Sequence, residues 1–259
     1  MRIDGYRTTR ATCVLAPNPS PLTLDGTNTW IIAEPSSASV VVVDPGPLDD
    51  GHLRRVLNAA VADERRVAMI LLTHGHPDHS AGAGRFAELT GAPVRAADPA
   101  HRLGEEGLAD EDVITAAGCE LRAVATPGHS ADSVSLLLPA DGALFTGDTV
   151  LGRGTTVIAA DGDLADYLRT LDQLRDLIGQ LDVGLLLPGH GPVLTDAAGT
   201  LDYYIAHRAQ RLDQIRAALA TGAQTAAEIV AIVYADVDRS VWRAAEWSVQ
   251  AQLDYLARP

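Results

Sequence analysis

The sequence predicts an α/β fold. Three observations carry that expectation. Short apolar runs recur at residues 67–72, 121–125, 143–145 and 183–187, each bounded by turn residues, and they read as buried strands. Amphipathic stretches with helical spacing lie between them, and strands alternating with helices define the class. From about residue 200 the pattern becomes all-helical.

The elements follow in order. TNTWIIAE and SVVVVDPG, residues 27–34 and 39–46, read as two early strands with a Gly-rich turn before the first. Residues 50–62 form an amphipathic helix. The strand at 67–72 (VAMILL) stops at THGHPDHSAG, and a helix is expected over 79–89, with Gly82 and Gly84 permitting close packing. The strand at 121–125 leads through TPG to His129, that at 143–145 to Asp148, and that at 183–187 to His190. A helix over 163–178 has leucines at helical spacing and Asp163 at its N-cap. Three helices complete the chain, over about 200–220, 225–234 and 240–256. A boundary is placed between residues 1–199 and a helical module at 200–259.

At 259 residues the chain can bury a sizeable core without staples. Its two cysteines, Cys13 and Cys119, lie apart from any histidine and read as reduced core thiols. No apolar run approaches the ~20 residues of a spanning helix, and the N-terminus lacks a basic-then-apolar leader, so a cytoplasmic protein with no membrane partner is expected. All 20 basic residues are arginine, a bias suggesting a high-GC bacterial genome. The net charge is −14. Residues 200–259 hold six Arg against seven Asp and Glu, so nearly all of that charge belongs to the first 199 residues. An acidic surface repels phosphate backbones, which argues against double-stranded DNA and against general nucleic-acid binding. Oligomeric state leaves no mark on the sequence.

The chemistry concentrates in residues 73–82. His74, His76, Asp78 and His79 fall within six positions, where such a set has little structural use. Imidazole suits zinc and iron, and carboxylate supplies oxygen. Two histidines two apart on an extended turn can grip one ion, while Asp78 and His79, at the entry to the helix, can reach another. The cluster leaves ligands wanting. His129, Asp148 and His190 each end a strand, as expected of a site at one sheet edge. Asp148, the acidic member of these three, can bridge two ions. Thr73, Thr126 and Asp44 are candidates, by position, for holding the imidazole tautomers. His52 and His101 read as solvated, and His207 as a satisfied helix histidine. The turns at 26–28 and 152–154 read as structural.

These motifs resemble a known family. THGHPDHS, TPGH, GD and PGHGP, in this order over residues 25–195, are similar to the metallo-β-lactamase superfamily in its HxHxDH hydrolase form. The resemblance implies a four-layer αββα sandwich. It also implies a two-metal site, with His74, His76 and His129 on the first metal, Asp78, His79 and His190 on the second, and Asp148 between them. NPSPLTLDGTNTWII, LGRGTTVI and YIAHRAQR resemble the β-lactamase-like protein 2 group across nearly the whole chain. That group implies a C-terminal winged-helix-like module, here without a clear wing, and an endoribonuclease on single-stranded RNA in its animal members.

Two divalent cations, zinc first with iron or manganese fitting nearly as well, would generate hydroxide near neutral pH. Asp78 is the candidate catalytic base. The expected function is a metal-dependent hydrolase of single-stranded RNA, or alternatively a glyoxalase II-like hydrolase of a small thioester, lactone or other ester. A redox or binding role is disfavoured, because the di-iron branch places Glu where this chain has His76. β-Lactam hydrolysis is disfavoured by the lack of a Cys ligand.

Overall fold

The computed structural model describes residues 3–258. Among the described residues, ten strands form two five-stranded sheets. The chain runs β1 (Ala11–Leu15), β2 (Asn28–Ile32), β3 (Ser39–Val43), α1 (Asp50–Ala60), β4 (Arg66–Leu71), α2 (Pro77–Ser80), α3 (Ala83–Thr90), β5 (Val94–Arg95), β6 (Val113–Ala116), β7 (Cys119–Ala125), β8 (Val134–Leu138), β9 (Ala143–Gly147), α4 (Leu164–Leu181), β10 (Leu185–Pro188), α5 (Ala197–Ala220), α6 (Ala226–Val233) and α7 (Trp242–Leu256). The first sheet has order β1-β2-β3-β4-β5 and the second β10-β9-β8-β7-β6. Each is mixed: β3 pairs parallel with β4, β4 with β5 and β9 with β10, and the other pairs are antiparallel.

The period-two alternation of the second sheet explains the layering. Leu136, Leu138, Ala143 and Phe145 point into a core shared with the first sheet, while Leu137 and Leu144 point to the opposite face, against α4 and α5. In β3, Val40, Val41, Val42 and Val43 are all buried, since α1 and α3 cover one face and the second sheet the other. Trp30 meets Phe145 edge-on at 5.6 Å between the sheets. The result is the four-layer αββα arrangement.

The four strands read as ligand carriers all form, as β4, β7, β9 and β10, although β10 begins at Leu185 rather than Val183. Asp163 caps α4 by accepting from Asp166 N. The helix expected over 79–89 is two pieces, α2 and α3, divided at Ala81–Gly82. A Cβ on Gly82 would stand 2.8 Å from Gly46 O, so close packing holds there, whereas nothing lies within 4 Å of one on Gly84. β1, β5, β6 and β8 are further strands beyond those with candidate residues at their ends. His52, expected in solvent, is 1 % exposed: it falls on the face of α1 that carries Val56 and Ala60 into the core. Partly buried His101 packs over Gly75 instead of standing free.

Helix α5 runs through the expected boundary at residue 199. Its first two-thirds packs Ala197, Leu201, Tyr204 and Leu212 with α4, and its last third packs Ile215 and Ala218 with α6 and α7. Among the described residues the module after α5 contains no strand. No described helix is long and apolar enough to cross a membrane.

Candidate metal centre

The cleft lies where strand ends from both sheets meet. Val134 N donates to Thr73 O at 2.8 Å and Asn28 N to Gly189 O at 2.7 Å, bonds that bring the ends of the two sheets together. β4 ends at Leu71 and delivers His74 and His76, and α2 opens at Pro77 to present Asp78 and His79. β7, β9 and β10 deliver His129, Asp148 and His190.

All seven sequence-proposed residues converge. His76 Nδ1 lies 3.0 Å from His74 Nε2 and 2.9 Å from His129 Nε2. His79 Nε2 lies 3.2 Å from His190 Nε2, and Asp78 Oδ2 is 3.5 Å from the first and 3.1 Å from the second. Asp148 stands between the two groups, its Oδ1 3.3 Å from His79 Nε2 and its Oδ2 3.2 Å from His190 Nε2 and 3.7 Å from His129 Nε2. Nitrogens of a tetrahedral zinc shell with ~2.05 Å bonds would lie about 3.3 Å apart, close to this spacing.

The outward nitrogens decide what the inward ones can do. His79 Nδ1 donates to Asp44 Oδ2 at 2.8 Å, His129 Nδ1 to Val157 O at 2.9 Å, His190 Nδ1 to Gly26 O at 3.0 Å and His76 Nε2 to Asp161 Oδ2 at 2.7 Å. His74 Nδ1 lies 3.0 Å from Thr73 Oγ1, whose own proton goes to Asp44 Oδ2 at 2.7 Å, so the ring must donate. In a neutral ring this leaves a lone pair on each nitrogen facing the cleft. Five lone pairs and two carboxylates aimed at one small volume fit divalent cations. Asp148 Oδ1 is also buried without a hydrogen-bond partner.

The electrostatics agree. Burial pushes His190 down, but Asp148 and Asp78 outweigh it and carry the ring up to about 9. His79 goes the same way: burial opposes and Asp78, Asp148 and Asp44 prevail. Burial works to raise Asp78, yet His79 and His190 hold it below the usual carboxylate range. His74 and His129 lie in the less acidic half, where burial lowers both. The acidic half attracts positive charge, as protons or as a cation, and metal affinity must fall as pH falls.

Glycine makes room for this packing. A Cβ on Gly189 would stand 2.6 Å from Asp148 Oδ1 and 2.7 Å from His79 Cε1. Of the three residues suggested as tautomer holders, Asp44 and Thr73 serve, while Thr126 instead meets Ser135 and Thr149. The turn read as structural at 26–28 touches the site directly, through Gly26 O and through Thr27 Oγ1, which donates to Asp78 Oδ2 at 3.1 Å.

Asp161 and Arg208 escaped the sequence reading. Arg208 is 3 % exposed, donates to Thr156 O, and lies 4.8 Å over the Tyr167 ring. Thr156 Oγ1 donates to Asp148 O at 2.8 Å and Tyr167 OH to Thr149 O at 2.7 Å, so α4 and α5 together brace the segment carrying Asp148. Arg208 lies inside YIAHRAQR, next to His207.

The model of the metallo-beta-lactamase superfamily matches residues 22–190, every one of these candidate residues included. The chain belongs to that superfamily. The beta-lactamase associated winged helix domain matches residues 225–258. A beta-lactamase-like protein 2 homolog of Drosophila melanogaster is 33 % identical over 266 residues, covering 95 % of this chain and 87 % of that protein. An atrochrysone carboxyl ACP thioesterase of Aspergillus fumigatus is 34 % identical over 247 residues, covering 87 % of this chain and 73 % of that one. A Beta-lactamase domain protein from Burkholderia ambifaria superposes with a TM-score of 0.80 over 96 % of this chain and 86 % of its own, a likeness of fold at 22 % identity.

Proposed function

We propose that the chain is a binuclear hydrolase of acyl thioesters or closely related small esters. The observation that carries this reading is the wall beside the cluster. A cavity of about 250 Å³ opens onto His76, Asp78, His129 and Asp148. Its remaining lining is Leu22, Pro77, Leu151, Val157, Ala159 and Trp247, with the hydroxyl of Thr156 turned to backbone carbonyls. Among the described residues, no arginine lines it. Such a chamber suits an acyl chain and lacks the cations that a phosphodiester backbone requires. The likeness to a thioesterase supports the same class.

His74, His76 and His129 would hold one cation, Asp78, His79 and His190 the other, with Asp148 between them. When bound, divalent cations supply Lewis-acid charge that polarises a carbonyl and makes water acidic near neutral pH; zinc suits this donor set, and iron or manganese is compatible. Asp78, 27 % exposed and facing the chamber, accepts the proton of the attacking water. Water adds to the carbonyl carbon, the C–S bond breaks, and Asp78 returns the proton to the departing thiolate. Asp44, Thr73, Asp161 and the carbonyls of Gly26 and Val157 keep the rings oriented throughout.

Endoribonuclease activity is the second reading. Two arginine–tryptophan stacks on the tail favour it, Arg239 over Trp242 at 5.2 Å and Arg243 over Trp247 at 5.5 Å, a pairing that can take single-stranded bases.

One experiment separates the two. Metal-loaded protein and His76→Ala are each given an acyl thioester and a labelled single-stranded RNA. Thiol release by the wild type alone, abolished by chelator, supports the thioester reading. RNA cleavage without thiol release overturns it.

A further inference from the structure

We infer that Trp247 determines which acyl chains enter the metal-side chamber, an inference that rests on the thioester reading. Trp247 is the one residue of α6 and α7 in the chamber wall; the others come from the segments around the ligands. The indole also lines a second cleft, of about 270 Å³, bounded by Gly162, Leu164, Gln250 and Ala251 and ending at Asp163 and Arg258. Trp247 and Ala159 are shared by both spaces, and Ala159 carries no more than a methyl group. The indole is therefore the bulk of the partition between them.

The partition is held in register. Ile158 N, from the segment that follows Asp148, donates to Ser248 Oγ at 3.4 Å, and Gln252 Nε2 donates to Ser248 O at 3.0 Å. Val249 next to it is fully buried against α5 and α6. At the far end Arg258 pairs with Asp163, the N-cap of α4. Arg243 covers the indole at 5.5 Å. Trp247 itself is 40 % exposed, so its size is not needed to fill the core. A large aromatic ring on a helix anchored in this way, left partly unburied beside the candidate centre, limits chamber length. A chain that fits ends at the indole. A longer one must displace it to reach the second cleft.

The test uses metal-loaded, full-length wild type, Trp247→Phe and Trp247→Ala with saturated acyl thioesters of N-acetylcysteamine, two to twelve carbons long. The wild type should show a maximum in kcat/KM followed by a fall. Trp247→Ala should move the maximum to longer chains and raise the long-to-short ratio by about tenfold or more, because extra methylenes that the indole would block then find room. Trp247→Phe should stay near the wild type. An unchanged length profile in an active Trp247→Ala overturns the inference. If no variant cleaves any thioester, the thioester reading fails, and dissociation constants of the matching carboxylates, measured by calorimetry, decide the inference separately. The same shift in Trp247→Ala supports it, and a flat series or no binding sinks it.

Discussion

Asp44 holds His79 from a left-handed backbone. At φ 49° its carboxylate receives the ring Nδ1–H at 2.8 Å, and also Thr73 N at 2.8 Å and Thr73 Oγ1 at 2.7 Å. One buried side chain thus fixes two histidines, His79 directly and His74 through Thr73. A non-glycine residue at positive φ costs of order 1 kcal/mol, and such outliers gather where geometry must be over-determined. Asparagine tolerates the same backbone, but its NH₂ must face one of three donors. Asp44→Asn is expected to fold and to lose about 10–100-fold in metal affinity, measured by competition with a chromogenic chelator. Unchanged affinity would show that neither histidine depends on it.

Gly189 gives a sharper separation of fold from site. Gly189→Ala places a methyl against Asp148 and His79, both tied into the centre. Elemental analysis should find the metal content reduced, while the circular dichroism spectrum stays that of the wild type.

His52 makes stability pH-dependent. Its burial is the main cause that brings the ring down to about 4, while Nε2 meets Thr29 Oγ1 at 3.0 Å. The unfolded ring binds its proton near pH 6.5, so it carries more protons than the folded one between those values. Stability from this group is complete above about 6.5 and is lost as pH falls towards 4, by at most about 3 kcal/mol. Urea titrations at pH 7 and pH 4.5 should show a smaller loss for His52→Gln than for wild type. Equal losses would assign the acid sensitivity elsewhere.

Ending the chain at residue 222 leaves every candidate ligand in place but removes Trp247 and uncovers Ile215 and Ala218. From sequence, such a truncation should spare small esters if the site lies wholly before it. The wall contributed by α7 changes that expectation: metal content should hold while kcat/KM falls by at least about tenfold. Full activity in a folded truncation would remove α7 from the substrate site.

The convergence of the seven candidate residues was legible in the sequence because each ends an apolar run at a turn, and because His74, His76, Asp78 and His79 are densely spaced. What orients them was less so. Asp161 reaches His76 across 85 residues, and Gly26 and Val157 contribute only their carbonyls, which have no residue identity to read. Asp44 and Thr73 could be suggested from their positions at strand ends. Strand β8 carries no ligand at its end, and β5 is two residues long, so neither announced itself. The burial of His52 did leave a signal, since His52, Val56 and Ala60 recur at helical spacing. Trp247 left none, because helical periodicity cannot tell a residue that walls a cavity from one that faces water.

The seven candidate ligands come from four separate strand ends, spread from His74 to His190 and drawn from both sheets. A cation bound there is a crosslink between two halves of the polypeptide, and unfolding either half must release it. Occupancy becomes a form of tenacity: free metal at 100 times its dissociation constant adds about 2.7 kcal/mol to the native state. Melting should therefore track the metal supply of the surroundings, and a starved molecule would be lost to proteolysis before an occupied one.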